Sequence, residues 1–379
     1  MLRRRFIVTA CAALIGLSAI NLFAKERGIA PPPADDRPLV QVALLLDTSN
    51  SMDGLINQAR TQLWKIVNEI SKCQRDGQVP HVQVALFEYG NNGIAAGENY
   101  VRMVLPFGEN LDDVSEKLFA LKTNGGEEYC GAVIQSATNG LQWNSDPKVY
   151  KSIFICGNEP FTQGNVDFHT AVPAAFARGI IVNTIHCGPR EQGVQGQWST
   201  GADLGRGKFL NIDQDRQVTV ITTPFDPEIQ KLSIELNVTY IPYGAHGARS
   251  SVNQAAQDYN ASAGSAAERA MTKSGKAYDN STWDLVDALD RKAAKLEDIK
   301  DADLPEAIRG KSLEEKQKYV DAQSAKRAEL QKQIIALNAK RDEFVKANTK
   351  ADAARDTLDA ALIEAIRTQL KAQSYDLPK

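Results

Sequence analysis

The sequence is poor in several residue types on which common catalytic and metal sites depend. It has five cysteines and four histidines in 379 residues, and neither a CxxC pair nor an HExxH segment occurs. These absences exclude zinc-knuckle and zinc-protease motifs. The histidines are isolated, so each is better explained as a core or surface residue than as part of a catalytic group. They are His81, His169, His186 and His246.

An excess of charge of one sign is also missing. The net charge is −3, with 44 basic and 47 acidic residues well mixed along the chain. This balance excludes the basic footprint of a nucleic-acid-binding protein. The helical segments after residue 244 carry both signs without a basic run, so binding to anionic lipid is not predicted there either.

Long apolar runs are absent apart from one near the start. A basic head, MLRRRF, precedes the almost wholly apolar Ile7–Phe23, and Ala24 is followed by polar residues. This pattern predicts a secretory signal peptide over residues 1–24, and hence a bacterial protein in the periplasm or secreted. The alternative is an uncleaved anchor in the inner membrane, because the apolar run is nearly long enough to span a bilayer. Residues 25–37 contain PPPADDR and predict a stiff tether.

From Leu39 the sequence alternates apolar, strand-like runs with amphipathic, helix-like segments. Several strand candidates are almost continuous in Val, Ile, Leu and Phe, which is typical of strands covered on both faces. The alternation predicts an α/β domain over residues 38–244, with a doubly wound, mostly parallel sheet. One run leaves no room for a crossover helix and should pair antiparallel at an edge. The predicted strands are Leu39–Leu46, Val82–Tyr89, Tyr100–Leu105 (the antiparallel one), Val149–Cys156, Ile180–His186 and Phe209–Ile212.

The composition changes after Gly244. Residues 245–312 are small and polar and predict a linker with short helices. Residues 313–379 predict an α-helical hairpin, because two narrow apolar stripes suit antiparallel coiled-coil packing. The stripes are Val320, Leu330, Ile334, Leu337 and Phe344 in the first helix, and Leu358, Ala361, Leu362, Ala365, Ile366 and Leu370 in the second.

A polar motif, DTSNS, ends the first predicted strand. Asp47, Ser49 and Ser51 alternate with Thr48 and Asn50, so one carboxylate and two hydroxyls face the same point. Such hard oxygen ligands suit Mg²⁺, with Mn²⁺ or Ca²⁺ as alternatives. By itself the motif is better explained as an ordinary helix N-cap. Its place at the carboxyl end of a buried strand in a doubly wound sheet, where ligands bind, favours the metal site.

In this context the segment from about Pro38 to Gly244 resembles the von Willebrand factor type A domain. In that family a DxSxS motif begins a metal-ion-dependent adhesion site, and two further loops complete it. The resemblance implies a second-loop ligand after the Gly pair of TNGGEEYCG, where a Thr is usual. Here Glu127 and then Glu128 follow. We rank Glu127 first, since integrin β-subunit domains similarly present a Glu at this point.

The third loop of the family normally reads TDGxP, whereas the corresponding stretch here is ICGNEPF. Gly157 therefore stands where the family has an Asp. The resemblance leaves Asn158 and Glu159 as candidate ligands, directly or through water, although neither is in register. The alternative is a Gly/Asn turn that only closes the strand.

Four cysteines lie beyond the predicted leader, and they permit three full pairings in an oxidising compartment. Buried free thiols are the alternative. The runs GGEEYCG, FICGNEPFTQG and NTIHCG resemble an exported bacterial subgroup of type A domains. In that fold all three runs lie at one sheet edge, and we therefore favour a Cys130–Cys187 disulfide as a hypothesis.

The resemblance implies a binding function without enzymatic activity. In this interpretation a divalent cation leaves one position open for a carboxylate from a partner protein, as in adhesion or scaffold modules. One alternative is a structural envelope component with a vestigial metal site, which the missing third-loop Asp favours. A metal-assisted hydrolase is less favoured, because no nucleophile–base pair is recognisable.

Overall fold

The computed structural model describes residues 37–213, 215, 221–261, 263–348 and 357–377. The predicted signal peptide, and the predicted tether up to residue 36, lie outside these residues. Within the described ranges no helix is both long enough and apolar enough to cross a membrane.

A six-stranded sheet forms the centre of the molecule. Its strands are β1 (Leu39–Asp47), β2 (His81–Tyr89), β3 (Val101–Gly108), β4 (Tyr150–Gly157), β5 (Ile181–Cys187) and β6 (Arg206–Ile212). Their order is β3-β2-β1-β4-β5-β6. All neighbours pair in parallel except β2 and β3, which are antiparallel at one edge. The predicted fold class and the predicted antiparallel edge strand are therefore confirmed.

Helices flank the sheet and continue beyond it. They are α1 (Asp53–Ser71), α2 (Leu111–Ala120), α3 (Cys130–Gly140), α4 (Phe168–Ala177), α5 (Arg190–Gln195), α6 (Trp198–Leu204), α7 (Asp226–Asn237), α8 (Gly244–Asn260), α9 (Ala263–Lys273), α10 (Leu285–Asp290), α11 (Leu313–Asn348) and α12 (Leu358–Ala372). Short 3-10 turns lie at Asn50–Met52, Ala96–Glu98, Leu296–Asp298 and Asp301–Asp303.

The sheet is buried on both faces, which explains its continuous apolar strands. Successive side chains of a strand point to opposite faces. In β1, Val42 and Leu44 belong to an apolar cluster with α1, α2 and α12, while Leu45 belongs to a second cluster with α3, α4 and α6. The first cluster also extends to α7 and α9.

The two C-terminal helices that the stripes predict are both present, but their packing differs from a hairpin. Helix α12 packs on α1 and on edge strand β6, and α11 packs on α7, α9 and α10. The apolar face of α12 is wide enough to cover part of the sheet, so it contributes to the main core. Ile241, at the end of the predicted α/β domain, builds a separate small core with residues from the predicted linker and the start of α11. It contains Ile241, Leu285, Val286, Leu296, Leu304, Ile308 and Val320.

A buried ion-pair network ties α2 to the later helices. The guanidinium of Arg269, on α9, pairs with Asp112 at 2.7 Å and also with Asp258. The ammonium group of Lys273 pairs with Asp258 at 2.9 Å. The side chains of Arg269, Asp112 and Lys273 are at most 1% exposed.

A second buried network fixes α11. The guanidinium of Arg327 pairs with Asp284 at 2.7 Å and with Asp287 at 2.8 Å. It also donates a hydrogen bond to the carbonyl of Thr239 at 2.8 Å. Its central carbon lies 4.0 Å from the centre of the Tyr240 ring, which is a cation–π contact.

Candidate functional site

The predicted first and third loops reach the carboxyl edge of the sheet beside the turn that follows β2. Asp47 is the last residue of β1, Gly157 is the last residue of β4, and Gly90 follows the end of β2. These strands are adjacent and parallel, with β1 in the middle. The predicted first and third loops therefore lie side by side, as expected for a ligand site at this edge.

The first loop holds the Asp47 carboxylate in a fixed orientation. The side chain is fully buried, and its Oδ1 accepts a hydrogen bond from the Ser49 amide at 2.7 Å. The hydroxyls of Ser49 and Ser51 lie 3.3 Å apart, as the one-residue alternation predicts. Asp47 Oδ2 is buried and has no hydrogen-bond partner among the described residues.

Thr48 ties the first loop to its neighbours. It faces away from Ser49 and Ser51, as predicted, but it is fully buried. Its hydroxyl donates to Glu88 Oε2 at 3.2 Å and accepts from Asn91 Nδ2 at 3.3 Å. Its carbonyl accepts from the Asn124 amide at 2.9 Å. A residue that the motif treats as a spacer therefore joins the first loop to the second.

The second loop presents Glu128 rather than Glu127 to Asp47. Glu128 is 6% exposed, and its Oε2 is buried without a hydrogen-bond partner in the described part of the chain. Glu127 is exposed. Gly90 permits the close approach: it has φ +78°, and a Cβ there would lie 2.8 Å from both Asp47 Oδ1 and Glu128 Cγ. The structure thus brings Glu128, and not the first-ranked Glu127, to Asp47.

Burial raises the pKa values of both carboxyl groups, and the charge of Asp47 raises that of Glu128 further. Loss of solvation is the largest cause for Asp47, whose pKa rises to about 6. Loss of solvation and then the Asp47 charge raise the pKa of Glu128 to about 9. The charge of Glu159 adds to both shifts. The pair therefore holds a proton at neutral pH unless a cation neutralises it.

The third loop has no room for the Asp that the family pattern places there. A Cβ on Gly157 would lie 2.3 Å from Tyr89 Oη and 3.1 Å from Asp47 Oδ2. The phenol is held there because it donates to the Cys156 carbonyl at 2.9 Å. Tyr89 therefore fills the space in which a third-loop carboxylate would project.

Asn158 is the third-loop side chain that reaches the site. Its Nδ2 donates to Ser51 Oγ at 3.2 Å. Its Oδ1 is buried without a hydrogen-bond partner within the described residues. Glu159 is exposed, and it influences Asp47 and Glu128 through its charge. An amide thus stands close to the position where the family pattern has a carboxylate.

The donors at this edge fit a hard divalent cation. Buried oxygens of Asp47, Glu128 and Asn158 lack hydrogen-bond partners in the described ranges, and the hydroxyls of Ser49 and Ser51 lie beside them. All are oxygen ligands, which suit Mg²⁺, Mn²⁺ or Ca²⁺. No cluster of three or more His, Cys, Asp or Glu side chains suited to a metal occurs among the described residues. Compared with the family pattern, the second loop carries an additional carboxylate, Glu128, and the third loop lacks one at Gly157.

The predicted Cys130–Cys187 disulfide is wrong. All four cysteines within the described residues are free and buried, as the alternative predicts. Cys130 belongs to the apolar cluster with α3 and α4, whereas Cys187 belongs to the cluster with α1 and α12. The sheet separates the two thiols, although both lie near its carboxyl edge.

Comparison with known proteins gives one family match and several solved structures of low similarity. The family profile of the von Willebrand factor type A domain matches residues 42–158. Among solved structures, the conserved hypothetical protein BatB from Bacteroides thetaiotaomicron is 18% identical, with 46% of this chain and 90% of that chain covered and a TM-score of 0.35. An aerotolerance-related membrane protein from Bacteroides fragilis is 18% identical, with 46% and 93% covered and a TM-score of 0.32. The pilus adhesin SpaC from Lactobacillus rhamnosus GG is 15% identical, with 47% and 28% covered and a TM-score of 0.35. No curated protein gives a significant match.

Proposed function

Residues 42–158 place this chain among the proteins with a von Willebrand factor type A domain, and from that membership we propose a protein-binding function. In this proposal a divalent cation at the carboxyl edge of the sheet engages a carboxylate of a partner protein. The partner is another protein of unspecified identity, and nucleic acid is not involved.

The pair of buried oxygens without partners carries the proposal. Asp47 Oδ2 and Glu128 Oε2 lie on neighbouring carboxyl groups, and among the described residues neither has a partner other than the opposite carboxyl group of the pair. An isolated buried carboxylate is expensive, and two adjacent ones are more so. A bound cation removes both penalties at once. The cation would be held by Asp47, Glu128, Ser49 and Ser51, with Asn158 beside them.

The same residues leave room for a partner. Mg²⁺ requires six oxygen ligands and usually retains water on part of its surface, so these side chains do not complete its shell. The exposed side chains of Ser51, Glu127 and Glu159 support a site that opens to the protein surface. A carboxylate from another protein supplies the missing oxygen, and Mn²⁺ or Ca²⁺ is the alternative cation.

We also propose the location and the class of this protein. A predicted leader over residues 1–24 supports a periplasmic or secreted module, or one anchored in the inner membrane if the leader is retained. We propose binding without catalysis. A saturable turnover that Asp47→Ala abolishes would overturn that part of the proposal.

One observation favours a second candidate function, a structural envelope component with a vestigial metal site. Tyr89 occupies the position of the third-loop carboxylate, so the site lacks one family ligand. In that case the helices beyond residue 244 carry the function. The two candidates differ in one measurable property, the binding of a divalent cation.

Titration calorimetry with Mg²⁺ and Mn²⁺ on the full chain tests the proposal. We expect saturable binding by the wild type, and no binding by Asp47→Ala or Glu128→Gln. The matched control is Glu127→Gln, which removes the adjacent exposed carboxylate and should bind like the wild type. Saturating Mg²⁺ should also raise the free energy of unfolding by about 3 kcal/mol at a hundred times Kd. A wild type that binds neither cation favours the structural candidate.

The partner carboxylate is tested separately on the metal-loaded protein. Immobilised glutarate should retain the wild type in Mg²⁺ and release it in EDTA, whereas immobilised glutaramide should not retain it. Retention that survives EDTA or Asp47→Ala would contradict carboxylate capture through a cation.

A further inference from the structure

The backbone of the third loop is held from behind by two buried side chains. The indole Nε1 of Trp198 donates to the carbonyl of Glu159 at 2.8 Å. The imidazole Nε2 of His186 lies 3.3 Å from the carbonyl of Asn158. The exposed fraction is 0% for Trp198 and 1% for His186. Two consecutive carbonyl groups of the third loop, those of Asn158 and Glu159, therefore each face a buried side-chain nitrogen.

Trp198 is itself fixed from several sides. Its carbonyl accepts from the hydroxyl of Thr184, on β5, at 2.7 Å. Its ring packs against Phe161 with 4.9 Å between ring centres, and against His186 with 5.7 Å. The amide of Phe161 donates to the Gly196 carbonyl at 2.8 Å. The start of α6 and the third loop thus form one packed unit.

This unit also reaches the second loop. The side-chain oxygen of Gln163 accepts a hydrogen bond from the amide of Glu128. A shift of the loop over residues 158–163 would therefore disturb Asn158 and Glu128 together. Such a dependence is expected where outlying hydrogen bonds orient the ligands of a metal site.

We infer that Trp198 and His186 are positioning residues, which hold the third loop so that Asn158 Oδ1 faces the candidate cation site. The inference rests on the proposed function. Asn158 is bound to Ser51 through Nδ2, while its buried Oδ1 has no partner in the described part of the chain. Since Gly157 admits no carboxylate, the loop contributes through the next residue, and the two buried donors fix the carbonyls of that residue and of the one after it.

Cation affinity in paired variants tests this inference. Trp198→Phe keeps an aromatic ring but loses the indole donor, and His186→Leu loses the imidazole donor. Each should weaken Mn²⁺ binding by roughly tenfold in calorimetry. His186→Gln retains an N–H donor and should stay within about threefold of the wild type.

Trp143→Phe is the matched control. The indole of Trp143 also donates to a carbonyl, that of Ala137, at 3.0 Å. Its neighbour Asn144 contacts Gln41, near the start of β1 and away from the site. This variant should bind Mn²⁺ like the wild type.

A double-variant cycle separates positioning from general damage to the core. In an Asn158→Ala background, Trp198→Phe and His186→Leu should cause a smaller loss of Mn²⁺ affinity than in the wild type, because the part of their effect that passes through Asn158 is already gone. Hydrogen exchange on the metal-free protein gives an independent readout. The amides of residues 158, 159 and 161–163 should exchange faster in Trp198→Phe than in the wild type, and at the wild-type rate in Trp143→Phe. If Trp198→Phe does not fold, His186→Leu against His186→Gln decides the matter.

The outcomes distinguish this inference from the proposed function. A wild type that binds no Mn²⁺ would overturn both. Wild-type binding that Trp198→Phe and His186→Leu leave unchanged would overturn the positioning role alone. That role is also overturned if the two variants weaken binding as much in the Asn158→Ala background as in the wild type.

Discussion

Buried charge is arranged in opposite ways in two parts of the molecule. Among the later helices, Arg269 and Arg327 are buried against carboxylates of opposite charge. At the carboxyl edge of the sheet, Asp47 and Glu128 are buried against each other, and each retains an oxygen without a partner in the described residues. The first arrangement is complete, and the second requires something from outside.

This difference separates packing from binding. A buried ion costs several kcal/mol unless an opposite charge and hydrogen bonds compensate for it. The helical networks supply that compensation within the chain and so fix how the helices meet. At the sheet edge no opposite charge within the described residues compensates for the buried carboxyl groups. This arrangement is expected where a ligand completes the structure.

The largest effect should come from breaking a complete network. Arg327→Leu leaves Asp284 and Asp287 buried without their cation, so we expect a loss of about 3–5 kcal/mol in the free energy of unfolding. Urea denaturation measures this loss. The control is Lys332→Ala, at an exposed position on the same helix, with an expected change below about 0.5 kcal/mol. A loss below about 1 kcal/mol for Arg327→Leu would contradict the assigned role of the network.

An intermediate effect should follow from forcing the family carboxylate into the third loop. Gly157→Asp meets Tyr89 Oη, so it should lower the free energy of unfolding by roughly 1–3 kcal/mol without strengthening Mg²⁺ binding. Tyr89→Phe removes the hydroxyl and should relieve part of that loss in the double variant. Gly97→Ala is the control, since no atom lies within 4 Å of a Cβ there. Tighter Mg²⁺ binding by Gly157→Asp alone would show that the site has room for the missing ligand.

The smallest effect concerns protons at the sheet edge of the metal-free protein. The folded-state pKa values of Asp47 and Glu128 are raised to about 6 and about 9. Folding therefore favours their protonated forms, and their contribution to stability is complete below about pH 4 and is lost as the pH rises through these values. Between pH 7 and pH 8 the free energy of unfolding should fall by about 1 kcal/mol more in the wild type than in Glu128→Gln. Denaturation in EDTA at both pH values measures it.

Glu127→Gln serves as the control for that measurement and should keep the wild-type pH dependence. Equal slopes for the wild type and Glu128→Gln would contradict the assignment of the proton to this pair.

The sequence predicts the sheet well because burial on both faces leaves continuous apolar runs. Edge strand β6 is predicted too short, with Phe209–Ile212 predicted and Arg206–Ile212 observed. Its first residues are polar, and a Cβ on Gly207 would lie 2.1 Å from the Val182 carbonyl. Pairing there depends on close backbone contact, which apolar periodicity does not report. The apolar stripes of α11 and α12 likewise predict which face of each helix is buried. They do not predict which elements that face packs against.

At the site, spacing alone predicts that Asp47, Ser49 and Ser51 lie together. It does not decide which of two adjacent glutamates turns inward, because that depends on the close passage of the second loop over Gly90. The supporting residues were missed because they lie far from the motif in sequence. Their rarity is the one sequence signal that could have found them. The chain has only four tryptophans and four histidines, and His186, in β5, and Trp198, at the start of α6, are near each other in sequence.

The position of α12 means that one face of the sheet can be covered only late in the synthesis of the chain. Leu362 and Ile366 share one apolar cluster with Val42 and Leu44, at the opposite end of the described chain. While the chain emerges from the ribosome or across a membrane, the sheet face that carries Val42 lacks its α12 cover until residues 358–370 have followed. Contacts so distant in sequence close slowly, and an uncovered apolar sheet face invites aggregation in the meantime. The chain is therefore expected to depend on holding factors while it is synthesised.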